Sequence, residues 1–110
     1  MNGKVPHIVQ YQGSKRILAP QILEYMPDKI DRLIEPFAGM AAISIAVAYD
    51  DRANSFHIND LNAPLVGLLK EAIDAPTQLV SAYSEVWEEQ FKYGENHVQH
   101  FYDIRERFNS

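Results

Sequence analysis

Leu33-Ile34-Glu35-Pro36-Phe37-Ala38-Gly39 opens the segment whose reading decides the fold. Its first three residues are a short apolar strand signal, and Pro36 and Gly39 stop strand pairing. An apolar segment of helical length follows, Met40 to Tyr49. Phe56-His57-Ile58-Asn59 then forms a second strand signal that ends at Asp60. Strand, glycine turn, helix, strand and acid make one βαβ unit, and the ligand of such a unit sits outside the carboxyl ends of its strands. Gly39 falls where the backbone leaves the strand, where a missing Cβ lets a ligand approach closely. Asp60 follows Gly39 by 21 residues. That is near the separation of about 20 at which an acid after the second strand reaches a ribose in dinucleotide folds. Ala41, Ala42, Ala46 and Ala48 let the intervening helix lie close against a sheet. The same pattern also suits a plain buried βαβ unit with a tight turn, because the glycine-rich fingerprint is incomplete.

Around this segment, 110 residues leave room for one domain at most. The composition, 46% hydrophobic and 23% charged, is that of ordinary globular protein. Without cysteine there is neither a disulfide framework nor a thiolate metal site. No apolar run approaches the roughly 20 residues of a membrane span. The first residues lack the apolar core of a secretion signal, so the expected location is cytoplasmic, without a membrane partner. A formal charge of −5 argues against a main phosphate-binding face, which needs clustered Lys and Arg. Lys15-Arg16 and Arg105/Arg107 are the local basic pairs, which puts most of any DNA grip elsewhere.

Residues 1–10 read as an extended arm anchored by Ile8-Val9. Tyr11-Gln12-Gly13-Ser14-Lys15 then sets an aromatic, a glycine turn and a cation at a helix start, with Ser14 as a candidate cap. Ile17, Leu18, Ile22, Leu23 and Met26 form a helical stripe, and Pro20 places either the helix start or a kink within it. Tyr11 and Lys15 read either as a packed aromatic and a solvated lysine, or as a platform and cation closing one side of a pocket. The stretch 27–32 reads as a polar connector. Asn62 is a good N-cap with Pro64 in the first turn, ahead of Leu65, Leu68, Leu69, Ala72 and Ile73 at half-buried helical spacing. After Asp74-Ala75-Pro76 another helix presents Leu79, Tyr83, Val86, Trp87 and Phe91 on one side and ends near Gly94. A last helix spans roughly 96–108, with Val98, Phe101, Ile104 and Phe108 on its apolar side. Tyr83 and Trp87 fit core packing between helices better than base stacking, since they lie on the periodic apolar face. His97 and His100 lack a third ligand in this pattern, so no metal is expected.

Three motifs in one order resemble a known family. Tyr11-Gln12-Gly13-Ser14-Lys15 is similar to the N-terminal cofactor motif of Dam-type (D12 class) DNA adenine-N6 methyltransferases. Glu35-Pro36-Phe37-Ala38-Gly39 resembles their glycine turn, and Asn59-Asp60-Leu61-Asn62 their acid after the second strand. The tail, with Phe101, Arg105 and Phe108-Asn109, is similar to the helical region that follows. The resemblance implies a partial Rossmann-like α/β fold that binds S-adenosyl-L-methionine, with residues 11–62 as cofactor motifs and βαβ unit and residues 63–110 as a helical segment. It implies a cofactor site of Tyr11, Lys15, Glu35, Phe37, Gly39 and Asp60, with Lys15 near the cofactor carboxylate and Asp60 on the ribose hydroxyls. Two departures accompany it. Ala41 stands where the family often has a second glycine, which costs free energy if that position needs φ > 0. The family's catalytic Asp-Pro-Pro-Tyr, which holds the flipped adenine, does not occur here.

Methyl transfer depends on holding nucleophile, methyl carbon and leaving sulfur in line, so this chain alone is expected to be inactive. Duplex DNA would be engaged through parts absent from it. Two parallel strands also leave both sheet edges exposed. The expectation is therefore an N-terminal piece of a longer enzyme, with self-association or a complementing C-terminal part as the other ways to cover those edges. A non-catalytic binding or assembly module is the reading from a different class. Restriction–modification, phage and regulatory settings all stay open.

Overall fold

A computed structural model of the chain describes residues 4–110. It is a mixed α/β protein divided into two compact units, one reaching to Lys70 and one from Glu71 to Ser110. The part of the expected arm at residues 1–3 lies outside the described residues.

The first unit is built on helix α1 (Ala19–Glu24), strand β1 (Ile30–Glu35), helix α2 (Ala42–Tyr49), strand β2 (Ala53–Ile58) and the start of helix α3 (Ala63–Asp74). β1 and β2 pair in parallel, with Leu33 opposite Phe56, Ile34 opposite His57 and Glu35 opposite Ile58. Leu33 and Phe56 pack toward the helices, whereas Ile34 and His57 occupy the other face and are exposed. Both strands begin three residues earlier than their apolar signals. Ile30-Asp31-Arg32, read as connector, is strand, because the main-chain N–H of Ile30 donates to the carbonyl of Arg52 and draws the preceding polar residues into the ladder.

α2 is apolar on nearly every side, the signature of a helix enclosed by its own unit. Ala46 and Val47 join Val5, Ala19 and Leu23 in one buried cluster, so the arm is fastened through Val5 as well as through Ile8. A second cluster, Ala38, Met40, Ala41, Leu65 and Leu69, lies under the turn between β1 and α2. Arg52 ties the chain between α2 and β2 to α1, donating from Nη1 to the carbonyl of Leu23 at 2.7 Å. Its Nε also donates to Asp50, whose carboxyl that bond holds below the usual carboxylate range.

α1 is short and starts beside Pro20, the first of the two alternatives that proline allowed. Ile17 and Leu18 therefore precede it and stay exposed, and only Ala19 and Leu23 are fully enclosed. Ser14 does not cap it: its Oγ accepts from the N–H of Arg16 within a local turn. In α3, Asn62 does serve as cap, its Oδ1 accepting from the N–H of Leu65 at 3.3 Å.

The second unit holds helix α4 (Pro76–Glu89), a 3-10 turn (Gln90–Tyr93) closed by Gly94 at φ 60°, and helix α5 (His97–Asn109). α4 buries none of its residues. Tyr83 and Trp87, expected as packing between helices, are 65% and 53% exposed and line an open apolar groove with Val86, Phe101 and Ile104. The two helices are held at the 3-10 turn instead: Tyr93 donates to Asp103 at 3.0 Å and stacks edge-on against His100. Periodicity had found the apolar face, but a facing apolar side can line a groove as readily as a closed core. Among the described residues no helix is long and apolar enough to cross a membrane.

Candidate functional site

The site grows from the end of β1. Leaving that strand, the chain turns at Pro36–Gly39, and Gly39 takes φ 54°, a left-handed conformation that favours glycine. Its main-chain N–H points across the turn to the end of β2 and donates to Oδ2 of Asp60 at 2.9 Å. Asp60 Oδ1 accepts from the N–H of Asn62, also at 2.9 Å. These two backbone donors, that of Asn62 first, hold the Asp60 carboxyl below the usual carboxylate range. Asp60 is thus an ionised carboxylate fixed in orientation, and each oxygen keeps a lone pair to offer.

Glu35, the last residue of β1, is fixed differently. Its Oε1 accepts from the main-chain N–H of Ser44 at 2.9 Å and from Ser44 Oγ at 2.6 Å. Ala41 at the head of α2 has no side chain to cap the helix, so Glu35 reaches over from the strand to satisfy one of its free N–H groups. Ala41 itself sits at φ 57°, ψ 39°. The position does take φ > 0, so alanine here carries the left-handed strain that glycine would escape.

Tyr11 arrives from the other side. A Cβ on Gly39 would stand 3.2 Å from Tyr11 Cε1, so the ring closes on the glycine at van der Waals distance. The turn after it is pinned by the N–H of Ser14 donating to the carbonyl of Tyr11. One cavity of about 230 Å3 results. Tyr11, Lys15, Glu35, Phe37, Gly39 and Asp60, the six residues singled out in the sequence, all line it. Phe37 is 92% exposed at its edge, an apolar ring left free for something else to cover. The lining offers one cation, Lys15, and two carboxylates.

The family model of the D12 class N6 adenine-specific DNA methyltransferases matches residues 11–110. The chain belongs to that family. It is also similar to a protein named type II methyltransferase M1.LlaDCHI, from Lactococcus lactis subsp. cremoris, with 29% identity over 96 residues. That match takes in 87% of this chain and 30% of the relative. The Retron Ec67 DNA adenine methylase of Escherichia coli is 29% identical over 102 residues, covering 93% of this chain and 32% of its own length. The chain therefore spans about a third of these curated relatives. No solved structure matches it significantly.

Ser44 is what sequence reading missed here: it does not line the cavity, but it fixes Glu35, which does. It is the one polar residue within Ala42-Ile43-Ser44-Ile45-Ala46-Val47-Ala48, and it is buried. A lone hydroxyl in an apolar helix calls for a nearby acceptor, and that was the available signal. Asn62, read as a cap, also donates its main-chain N–H to Asp60. His100 is buried at α5, with Nε2 3.9 Å from Glu89 Oε2, and takes no part in this cavity.

Proposed function

We propose that this chain is the cofactor-side part of an enzyme that transfers a methyl group from S-adenosyl-L-methionine to the N6 amino group of adenine in DNA. The observation that carries the reading is the convergence of the six motif residues on one cavity at the carboxyl ends of two parallel strands. The residues suit the cofactor chemically. A carboxylate with a free lone pair on each oxygen, as at Asp60, accepts from two vicinal ribose hydroxyls. The Lys15 ammonium matches a carboxylate, and Glu35 matches a cationic group, so one cation and two acids complement a zwitterionic sulfonium. Gly39 leaves the space that a Cβ would take, with Tyr11 and Phe37 as apolar walls. When bound, S-adenosyl-L-methionine supplies the electrophilic methyl group; the chain's own residues orient it and exclude water from one side.

About 230 Å3 is small beside the roughly 300–1,000 Å3 of a complete small-molecule site. That supports a partial site within a Rossmann-like methyltransferase fold. The 110 residues hold no Asp-Pro-Pro-Tyr, so we expect them to bind cofactor without transferring methyl groups by themselves. Isothermal calorimetry with S-adenosyl-L-methionine tests the reading: the wild type binds, and Asp60→Ala weakens binding about tenfold or more. Equal affinity in the two proteins would remove the site assignment.

A second reading, a non-catalytic assembly module, is favoured by the open apolar groove of the helical unit. It expects self-association, or capture of a complementing C-terminal part, and no affinity for the cofactor.

A further inference from the structure

Beside the methyl-donor cavity lies a second one, of about 430 Å3, to which no role has been assigned. The two share Tyr11, Gly13 and Ser14, so one turn of chain separates them. His7, Gln10, Gln12 and Arg16 complete the lining of the second cavity together with Ile17. All four polar side chains can donate hydrogen bonds, and none of the lining residues is an acid.

The charge around it is unlike that of the rest of the molecule. Residues 1–23 contain Lys4, Lys15 and Arg16 and no Asp or Glu; the first acid is Glu24. Seven cations against fifteen acids remain for the rest of the chain. The overall charge of −5 therefore conceals a cationic N-terminal segment.

Arg16 is the sharpest detail. Its Nε donates to the carbonyl of Val5, and Val5 is buried in the core, so the guanidinium is fixed relative to the unit. Among the described residues Nη1 and Nη2 have no hydrogen-bond or ion-pair partner. A half-buried guanidinium normally meets a carboxylate or a phosphate, whose oxygens match its two-pronged edge.

We propose that this cavity binds a backbone phosphate of the nucleic-acid substrate, with Arg16 as the charged contact and His7, Gln10 and Gln12 as further hydrogen-bond donors. The inference rests on the reading of the neighbouring cavity as a methyl-donor site, since a base must be presented beside the donor for transfer. A phosphate contact positions the strand and carries no sequence information.

The test is fluorescence anisotropy of the full chain with a short labelled DNA duplex, titrated between about 50 and 200 mM salt. Binding is expected at the low end, and Arg16→Ala should lower the slope of log K against log salt by about one. Because Arg16 also fastens Val5, Gln10→Glu is the companion variant: Gln10 is exposed, lies before the cofactor motif and does not line the first cavity, so the fold is kept while an acid enters the second. It should lose duplex affinity, most visibly at low salt. Arg105→Ala, in the helical unit, should match the wild type. No duplex binding by the wild type, or equal losses in Gln10→Glu and Arg105→Ala, would overturn the proposal. Calorimetry with S-adenosyl-L-methionine on the same proteins separates the two failures, since Gln10→Glu should leave cofactor affinity unchanged.

Discussion

The main-chain N–H of Gly39 and the Oδ2 of Asp60 lie 2.9 Å apart, joining the turn after β1 to the end of β2. This bond gives the glycine turn and the acid a common geometry. Anything that moves one moves the other, and both line the proposed cofactor cavity.

Asp60 should respond to acid in a definite direction. Its carboxyl is held below its ordinary value of 3.8 by the N–H groups of Asn62 and Gly39. A lowered folded-state value means that its contribution is fully present above the unfolded value and is lost as pH falls through the folded one. Carbon-detected NMR titration should give an Asp60 midpoint below 3.8. Asp60→Asn should abolish that titration and weaken cofactor binding at neutral pH, because an amide presents an N–H to one of the two backbone donors. A midpoint above the ordinary value would contradict the hydrogen-bonded arrangement.

Gly39→Ala should be worse than Gly13→Ala, although both residues have positive φ. Each substitution meets the left-handed penalty of about 1–2 kcal/mol. A methyl at Gly13 enters open space, whereas one at Gly39 stands 3.2 Å from the Tyr11 ring and must displace it. Thermal unfolding should show a loss for both, and calorimetry should show an additional loss of cofactor affinity for Gly39→Ala. Equal cofactor affinities in the two variants would separate Tyr11 from the site.

Ala41→Gly should change stability little, despite restoring the glycine common in the family. Relief of left-handed strain returns about 1–2 kcal/mol. Against it stand a buried methyl worth about 0.8 kcal/mol and the greater unfolded-state freedom of glycine, about 0.5–1 kcal/mol. Denaturant unfolding should place the variant within about 1 kcal/mol of wild type. A loss above about 2 kcal/mol would mean that Ala41 does not adopt φ 57°.

Ser44→Ala should cost about 1 kcal/mol through the lost hydroxyl bond to Glu35. Glu35→Ala should cost more, about 1–2 kcal/mol, because the head of α2 loses the side-chain acceptor of the Ser44 N–H as well. In the double variant the two losses should fall short of additive, since both remove the same contact. Full additivity in urea unfolding would show that the pair does not act together.

Much of the first unit was legible in the chain itself. Strand, turn, helix, strand and acid are local features: the proline and glycine interrupt pairing, the apolar run has helical length, and Asn62 caps where a short polar side chain is wanted. Three motifs in order were enough to indicate the family. Element ends were less legible, since Ile30-Asp31-Arg32 become strand only through a ladder partner at Arg52. The apolar face of α4 was visible as well, but whether Trp87 closes a core or lines a groove depends on what stands opposite it.

By itself, then, the sequence determined the order of the βαβ unit, the glycine at its turn and the acid at its far end, because backbone preference and short-range periodicity act over a few residues. Only the tertiary structure decided that Asp60 turns back onto the N–H of Gly39, that Glu35 spends one oxygen on Ser44, and that Tyr11 closes over the glycine. Those directions are set by hydrogen-bond donors and packed atoms brought together from distant parts of the chain. No local pattern encodes which of several polar partners a side chain will meet once the strands have paired.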